Sequence, residues 1–228
     1  MIEIRGLTHS YGRKTVLSNV NLVIEPREKC ALVGRNGAGK STLIHSMLGI
    51  LPVQQGEVLL RGIPNTKEEW KQYVSYLPEK FSLYAQMSGL ENMEFFAELA
   101  GVPANSFRIE QCLRRVQLWE DRNEKVRRYS KGMLQRLGLA AMLYFEAEIL
   151  ILDEPTSGLD PMGRKDILSI LQSLTDKTIL FSSHHMDEIQ QICTHVAFLD
   201  NGTVHKYSVE EFQSKLPNLT SGIGGGVV

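Results

Sequence analysis

A glycine-rich segment at residues 34–41, GRNGAGKS, constrains this chain more than any other feature of its sequence. It fits the pattern G-x-x-x-x-G-K-[ST], follows an apolar run typical of a strand and precedes a stretch with helical periodicity. Glycines allow a tight turn in which successive backbone N–H groups point at phosphate oxygens, and the N-terminus of the following helix adds partial positive charge. The segment therefore predicts a phosphate-binding loop between a strand and a helix of an α/β domain.

The side chains of this loop have separate predicted tasks. Lys40 can reach the β- and γ-phosphates of a nucleotide, the hydroxyl of Ser41 can ligate Mg²⁺, and Thr42 offers a donor near the α-phosphate. The other predicted nucleotide-binding positions of the loop are Gly34, Asn36, Gly37, Ala38 and Gly39. A nucleotide with Mg²⁺ is the ligand that this set predicts.

A second segment, EILILDE at residues 148–154, ends in two acidic residues and supplies the other half of the predicted site. Its apolar stretch predicts a buried strand that delivers Asp153 to the carboxyl edge of the sheet, where it can hold the Mg²⁺ shell through water. Glu154 is then free to polarise an attacking water as general base. Two acids at the end of a buried strand can also simply cap it, but next to a phosphate-binding loop the catalytic interpretation is favoured.

Periodicity along the chain predicts strands that alternate with helices. The predicted strands are residues 2–7, 17–24, 29–33, 56–60, 73–77, 148–152 and 178–182, followed by a hairpin of 196–200 and 203–207 across Asn201-Gly202. The predicted helices are residues 40–50, 89–100, 107–118, 131–144, 161–174 and 186–193. This order indicates an α/β fold with a mostly parallel sheet covered on both faces, and an N-terminal antiparallel β portion.

The hydrophobic periodicity of the chain changes between about residues 88 and 144, where strand patterns are replaced by helical ones. We therefore predict one domain over residues 1–220, with a core of 1–87 and 145–220 and an inserted helical subdomain at about 88–144. The glycine-rich tail at 221–228 is expected to be flexible.

Composition limits the possible functions. The chain has 228 residues, of which 43% are hydrophobic and 22% charged, with a net charge of -1, and this balance argues against nucleic acid as the main partner. It has neither a run of eighteen apolar residues nor a signal-peptide pattern, so we expect it to stay in the cytosol. Cys30, Cys112 and Cys193 lack metal-site spacing and are expected to be structural thiols.

Four further motifs carry a resemblance to a known family. Residues 129–136, YSKGMLQR, resemble the L-S-G-G-Q-x-Q-R signature of the ABC ATPase superfamily, and residues 157–160, SGLD, resemble its D-loop with Asp160. Residues 182–184, SSH, resemble the switch-histidine segment, and residues 76–79, YLPE, fall where the family has its Q-loop. Order and spacing match from about residue 2 to residue 207, which is nearly the whole chain.

The resemblance implies a P-loop NTPase core that binds and hydrolyses ATP with Mg²⁺, and that works as a head-to-tail pair with two ATP molecules between the subunits. His184 would contact the γ-phosphate in its own subunit, and Tyr11, with Val16 near it, would stack on the adenine. The signature residues that would contact the partner's γ-phosphate are Ser130, Lys131, Gly132 and Met133. The alternative for Ser130 is that it simply caps a helix.

The chain departs from the family pattern at three positions. Glu79 replaces the Q-loop glutamine; a carboxylate can still ligate Mg²⁺ or hold the water, but it adds negative charge near the triphosphate. Lys131 replaces the first glycine of the signature, and Met133 replaces its glutamine. This form of the signature together with YLPE resembles exporter-type ABC transporters, which move drugs, peptides, lipids or ions.

The machine that such a motor would drive is best predicted as a transporter. The expected partners are a second ABC ATPase subunit, identical or not, and a separate integral membrane permease, with this chain on the cytoplasmic face of the membrane. A DNA-maintenance ATPase would need a long coiled coil or zinc insert between Lys40 and Ser130, and this stretch has no heptads and no metal-spaced cysteines. A ribosome-acting factor would carry two such domains.

The permease is expected to dock on the helical subdomain. The candidates for that contact are Phe81, Leu83, Tyr84 and Met87. Such apolar residues form a docking surface only if they are exposed, and the alternative is that they pack inside the subdomain.

Overall fold

The computed structural model describes residues 1–101 and 103–220 of the chain. The strands are β1 (Ile2–Tyr11), β2 (Lys14–Ile24), β3 (Lys29–Val33), β4 (Gln55–Leu60), β5 (Ile63–Pro64), β6 (Val74–Leu77), β7 (Ile149–Leu152), β8 (Thr178–Ser182), β9 (His195–Asp200) and β10 (Thr203–Ser208). The helices are α1 (Lys40–Met47), α2 (Gly89–Leu99), α3 (Ser106–Arg115), α4 (Lys131–Tyr144), α5 (Pro161–Ser173), α6 (Met186–Ile192) and α7 (Val209–Thr220), with short 3₁₀ helices at Glu69–Tyr73 and Val126–Arg128.

The central sheet has the strand order β10-β9-β3-β8-β7-β6. All neighbours pair in parallel except β9 and β10, which form an antiparallel hairpin. Every residue of β7 and β8 is buried, because helices cover both faces of a parallel sheet. The predicted mostly parallel sheet and C-terminal hairpin are therefore confirmed. The hairpin turns at Asn201 and Gly202, whose φ values of 46° and 80° suit the Asn-Gly pair.

A second sheet has the order β2-β1-β4-β5, is antiparallel throughout and confirms the predicted antiparallel N-terminal portion. Ile2 and Ile4 of β1 belong to one buried cluster with Leu43 of α1 and with Leu32 and Leu180 of the central sheet. Helix α1 thus packs in the layer between the two sheets, and this packing fixes where its N-terminus lies.

Helices α2, α3 and α4 occupy the chain between β6 and β7 and pack on one another. Tyr144 near the end of α4 is fully buried, and its hydroxyl accepts a hydrogen bond from the backbone N–H of Asn105, the N-cap of α3, at 3.0 Å. These helices share a hydrophobic cluster with Phe181 of the central sheet. The subdomain limits of 88 and 144 stay a prediction.

The structure corrects several element bounds. Helix α1 ends at Met47 rather than at 50, because Gly49 adopts a left-handed φ of 67° that stops the helix. Helix α3 ends at Arg115 rather than at 118, since Gln117 has a φ of 58°.

Two elements, β5 and α7, were absent from the prediction. The start of α7 carries a sequence signal, because Ser208 and Glu211 exchange side-chain to backbone hydrogen bonds of 3.0 and 3.1 Å, as a capping box does. The tail at 221–228, predicted to be flexible, lies outside the described residues.

The three cysteines, Cys30, Cys112 and Cys193, are buried and form no disulfide. Burial raises the pKa of the Cys30 thiol to about 12 and that of Cys112 to about 11, which disfavours their reactive thiolate form. In the described part of the chain, no helix has both the length and the apolar character to cross a membrane.

The centre of β8 offers a test of this core. Phe181 is fully buried, so Phe181→Ala is expected to lower the free energy of unfolding by about 3–5 kcal/mol through lost burial and a residual cavity. Phe107 is 69% exposed, so Phe107→Ala is the matched control and should change it by less than about 0.5 kcal/mol. Urea unfolding of both variants measures the difference, and equal effects would contradict the described core.

Candidate active site

A cleft of about 550 Å³ opens at the carboxyl edge of the central sheet. Its lining includes most of the nucleotide, catalytic and metal residues predicted from the sequence: Tyr11, Val16, Asn36, Gly37, Gly39, Lys40, Ser41, Thr42, Glu79, Asp153, Glu154 and His184. Arg35 and Ser157 also line it and were not predicted. Segments that are up to 173 positions apart, from Tyr11 to His184, thus meet in one place.

The loop between β3 and α1 has the backbone that phosphate binding requires. Gly37 and Gly39 have φ values of 78° and 110°, where side chains are strained, and a Cβ on Gly39 would lie 2.7 Å from Cγ1 of Val16. A Cβ on Gly34 would lie 2.6 Å from the carbonyl oxygen of Leu199 in β9. Helix α1 begins directly after the loop with no acidic residue in its own first turn, so its positive end is available to an anion.

Ala38 belongs to the same loop, although it is not part of the cleft lining described above. Its backbone N–H donates to the carbonyl oxygen of Arg35 at 3.0 Å, which closes the turn. Both Gly34 and Ala38 therefore shape the loop, and their predicted nucleotide contacts stay predictions.

Lys40 is the buried cation of the cleft. Its Nζ donates to the carbonyl oxygen of Gly34 at 2.8 Å and lies 3.5 Å from that of Arg35. Burial lowers the pKa of Lys40, and the carboxylates of Glu154 and Asp153 partly oppose that shift. The ammonium is therefore held against its own loop, at the place where it can exchange carbonyl contacts for phosphate oxygens.

Two neighbouring strand ends hold the acids in place. The hydroxyl of Ser182, the last residue of β8, donates to Oδ1 of Asp153 at 2.7 Å and accepts from the backbone N–H of Glu154 at 2.7 Å. Oγ of Ser41 lies 3.4 Å from Oδ2 of Asp153, so two of the three predicted Mg²⁺ residues are adjacent. Sequence reasoning missed this role of Ser182; the available signal was that β7 and β8 end at the same edge of the sheet.

The donor set fits Mg²⁺ bound together with a nucleotide. The described residues contain no group of three or more His, Cys, Asp or Glu side chains that could hold a metal by themselves. Ser41 and Asp153 instead provide one hydroxyl and one carboxylate, and Mg²⁺ in such sites takes its other ligands from phosphate and water.

Glu154 and His184 face each other in the cleft. Oε1 of Glu154 is buried, lies 2.8 Å from Nε2 of His184 and accepts no hydrogen bond from the described residues. Burial raises the pKa of Glu154 to about 7, although the charge of Lys40 opposes the shift. Burial, followed by the charge of Lys40, lowers the pKa of His184, which favours its neutral form. A carboxylate with one unsatisfied oxygen is suited to accept a proton.

Glu79 and Tyr11 lie at the margins of the cleft. Glu79 follows β6, which neighbours β7, and its predicted role toward Mg²⁺ or water stays a prediction. Tyr11 ends β1, is 52% exposed and packs edge to face with His9 at a centroid distance of 4.9 Å. An exposed aromatic ring at the cleft edge is available for stacking on a base.

Three of the four predicted signature residues, Ser130, Lys131 and Gly132, line a different cleft of about 360 Å³ together with Asp160. Met133 is not part of that lining and packs against the large hydrophobic cluster, so its predicted contact with a partner stays a prediction. Oγ of Ser130 accepts from the backbone N–H of Met133 at 3.2 Å, so Ser130 does cap α4. Oδ1 of Asp160 caps α5 in the same way, at 2.8 Å. The N-termini of α4 and α5 therefore converge in this second cleft, apart from the phosphate loop of the same chain.

The four residues predicted to dock a permease divide into two groups. Phe81 and Leu83 are partly buried and pack against the large hydrophobic cluster, which matches the alternative of internal packing. Tyr84 is 48% exposed and contacts Phe95 at a centroid distance of 4.5 Å, while Met87 is partly buried. Among the four, Tyr84 is the residue that offers the most surface to a partner.

Comparison with known proteins gives a consistent family match. Residues 17–157 match the family model described as ABC transporter. The linearmycin resistance ATP-binding protein LnrL of Bacillus subtilis is 32% identical over 208 residues, covering 89% of this chain and 67% of the relative. The lantibiotic transport ATP-binding protein SrtF of Streptococcus pyogenes is 34% identical over 206 residues, covering 90% and 89%. The bacitracin transport ATP-binding protein BcrA of Enterococcus faecalis is 36% identical over 221 residues, covering 94% and 71%.

Solved structures agree with these sequence relatives. A dimeric bacterial ABC transporter cassette, MJ0796, is 26% identical with a TM-score of 0.81, covering 92% of this chain and 99% of that one. The same cassette in a post-hydrolysis state with bound ADP and Pi is 25% identical with a TM-score of 0.80 and the same coverage.

Lys40 provides a test of whether this cleft binds the phosphates of ATP. Lys40→Ala is expected to weaken ATP binding at least about tenfold, because a hydrogen-bonded charge contact is worth about 1.5–3 kcal/mol. Isothermal titration with ATP and Mg²⁺ measures the change. Lys71→Ala, which removes an exposed lysine, is the matched control. Equal affinities of the two variants would show that the phosphates bind elsewhere.

Proposed function

This chain belongs to the ABC transporter family, and from that premise we propose that it is the ATP-hydrolysing motor subunit of an exporter whose membrane-spanning permease is a separate protein. The observation that carries the proposal is the meeting of Lys40, Asp153, Glu154 and His184 in one cleft, with the signature segment in another. The interpretation as a DNA-maintenance or ribosome-acting ATPase gains no support from the relatives, whose names refer to transport or resistance.

The proposed chemistry assigns each residue one task. Lys40 and the backbone N–H groups of the loop bind the β- and γ-phosphates. Ser41 and Asp153 would hold Mg²⁺, which would supply positive charge to the phosphates. Glu154 accepts a proton from the attacking water through its unsatisfied Oε1. Neutral His184 donates from Nε2 toward the γ-phosphate, and its distance of 2.8 Å from Glu154 places both side chains at the same reacting group.

We propose that two subunits assemble head to tail. The converging N-termini of α4 and α5 form a second cleft that can receive an anion. Lys131 and Arg136 add cations to its lining, and the carboxylates of Asp160 and Asp166 oppose them. This cleft lies apart from the phosphate loop of its own chain, so it is best used by completing the nucleotide site of a partner. The similarity to dimeric cassettes supports this arrangement.

The general base gives the decisive variant. Glu154→Gln is expected to slow ATP hydrolysis at least about a hundredfold, since general base catalysis contributes about 10²–10⁴. ATP binding and an ATP-dependent dimer should persist, because the amide keeps the shape of the side chain. Phosphate release and size-exclusion chromatography measure the two properties. Glu148→Gln, at the exposed start of the same strand, is the control and should hydrolyse ATP normally. Normal turnover by Glu154→Gln would exclude Glu154 as the base.

The exporter part of the proposal rests on the kind of relatives found. Their names refer to lantibiotic transport, bacitracin transport and linearmycin resistance. We therefore propose that the cargo belongs to the same broad group of drugs, peptides, lipids or ions, that the permease selects it, and that this chain works at the cytoplasmic face of the membrane. Tyr84, exposed beside the helical insert, is the proposed contact with the permease.

Purification from native membranes tests whether this chain works together with a membrane permease. Tagged Glu154→Gln protein with ATP is expected to retain a multi-span membrane protein, and adding Tyr84→Ala should reduce its recovery at least about tenfold, since aromatic anchors carry much of the energy at interfaces. Phe107→Ala, the loss of another exposed aromatic ring, is the control. Recovery of ribosomes or DNA-bound proteins instead would show that the motor drives a different machine.

A further inference from the structure

A fully buried carboxylate lies behind the active-site cleft, outside its lining. Glu188 of α6 has no exposed surface. Its Oε2 accepts hydrogen bonds from Oγ1 of Thr156 at 2.9 Å and from Oγ of Ser183 at 2.6 Å. The nearest cation is Arg164, whose Nη1 lies 3.9 Å from the other oxygen, Oε1. Two hydroxyls from two different loops are thus tied to one oxygen atom.

The two hydroxyls belong to the segments that carry the reacting side chains. Thr156 is two positions after Glu154, and Ser183 directly precedes His184. The backbone N–H of His185 also donates to Oγ of Ser183 at 3.1 Å, so the peptide around His184 is held on both sides. Glu188 therefore fixes the Glu154 loop and the His184 loop to one point of α6.

These contacts close a ring that we call the Glu188 ring. It runs from Glu154 through Thr156, Glu188 and Ser183 to His184, and it closes where Oε1 of Glu154 and Nε2 of His184 lie 2.8 Å apart. Oε1 of Glu154 and Nε2 of His184 are in direct contact at 2.8 Å. The separation of the two loops that carry this pair depends on the other contacts of the ring and on Ser182, whose hydroxyl accepts from the backbone N–H of Glu154.

Stability alone explains this carboxylate poorly. Removing a charge from water is costly, and a buried charge with a distant cation is often worth less than a well-packed apolar residue of the same volume. Oε1 of Glu188 accepts no hydrogen bond from the described residues, so at this oxygen the cost is offset by the charge of Arg164 at 3.9 Å. The two hydrogen bonds from hydroxyls to Oε2 are the favourable interactions that Glu188 makes at this position.

We propose that Glu188 is a positioning residue for ATP hydrolysis, which acts through Thr156 and Ser183 to hold Glu154 and His184 at their working separation. The inference rests on the proposed function of the cleft. Glu188 lies outside the cleft lining and contacts neither the phosphate loop nor Lys40, so nucleotide binding should not depend on it. The effect of losing it should fall on turnover, because small displacements of catalytic groups are costly to the chemical step.

Two substitutions separate the hydroxyl contacts from charge and packing. Glu188→Leu keeps most of the volume and removes the acceptor, so kcat is expected to fall at least about tenfold while the Kd for ATP stays within about twofold. Glu188→Gln keeps one oxygen that can accept from both hydroxyls, so the kcat of this variant should stay within about threefold of the wild-type value. Asp187→Leu, at the exposed neighbouring position of α6, is the control and should leave both constants unchanged.

The hydroxyls provide an independent readout. Thr156→Val removes one ring contact, and it should lower kcat in the wild-type background but cause no further loss in Glu188→Leu, because contacts of one network are not additive. This variant also tests the ring if Glu188→Leu fails to fold.

The outcomes distinguish this inference from the function it rests on. A wild-type chain without ATPase activity would overturn both. A wild type that hydrolyses ATP, together with Glu188→Leu or Thr156→Val variants whose kcat stays within about twofold, would overturn only the role of Glu188, whatever happens to the melting temperature. Equal losses of kcat in Glu188→Leu and in Glu188→Gln would also overturn it, because the buried charge and not the hydroxyl contacts would then be responsible.

Discussion

The parallel pairing of β3, β8 and β7 as direct neighbours is the constraint on which the rest of this structure depends. Parallel strands bring their carboxyl ends to one edge, so the phosphate loop after β3, the acids after β7 and the histidine after β8 meet there without long connections. The hydroxyl of Ser182 then joins two of these ends, because it bonds both Asp153 and Glu154. Sheet order therefore supplies the convergence, and short polar contacts supply the final alignment.

The charges at this edge suit the proposed ligand, a nucleotide bound together with Mg²⁺. Lys40 and the start of α1 provide positive potential for phosphates. The carboxylates of Glu154 and Asp153 oppose it, and Oδ2 of Asp153 lies 3.4 Å from Oγ of Ser41 in α1. Burial lowers the pKa of Lys40 and raises the pKa of Glu154, and both shifts favour the neutral form of the side chain. Burial thus makes both charges costly, and the proposed binding of a nucleotide together with Mg²⁺ would place opposite charge next to each of them.

Much of this was predictable from the sequence, because the motifs are local. The phosphate loop, Asp153 and Glu154 each sit within a short pattern whose chemistry and strand–helix context are set by neighbouring residues. The role of Ser182 and the ring around Glu188 could not be predicted. The bonds from Ser182 to Asp153 and from Thr156 to Glu188 join segments about 30 positions apart and depend on which strands are neighbours. The same holds for Phe81, whose burial is decided by α2 and α4 packing around it and not by its own hydrophobicity.

The segment after β7 also links the two clefts of the chain. It begins with Asp153 in the nucleotide cleft and ends with Asp160, which caps α5 in the signature cleft, and Thr156 lies between them. Proximity alone would not couple the two places, since coupling needs an element that both of them bias. Glu188 supplies a fixed point in the middle of this segment, because its oxygen holds the Thr156 hydroxyl. The segment that joins the two clefts is therefore held at Thr156 by a contact to α6, and the proposed positioning role of Glu188 concerns this same contact.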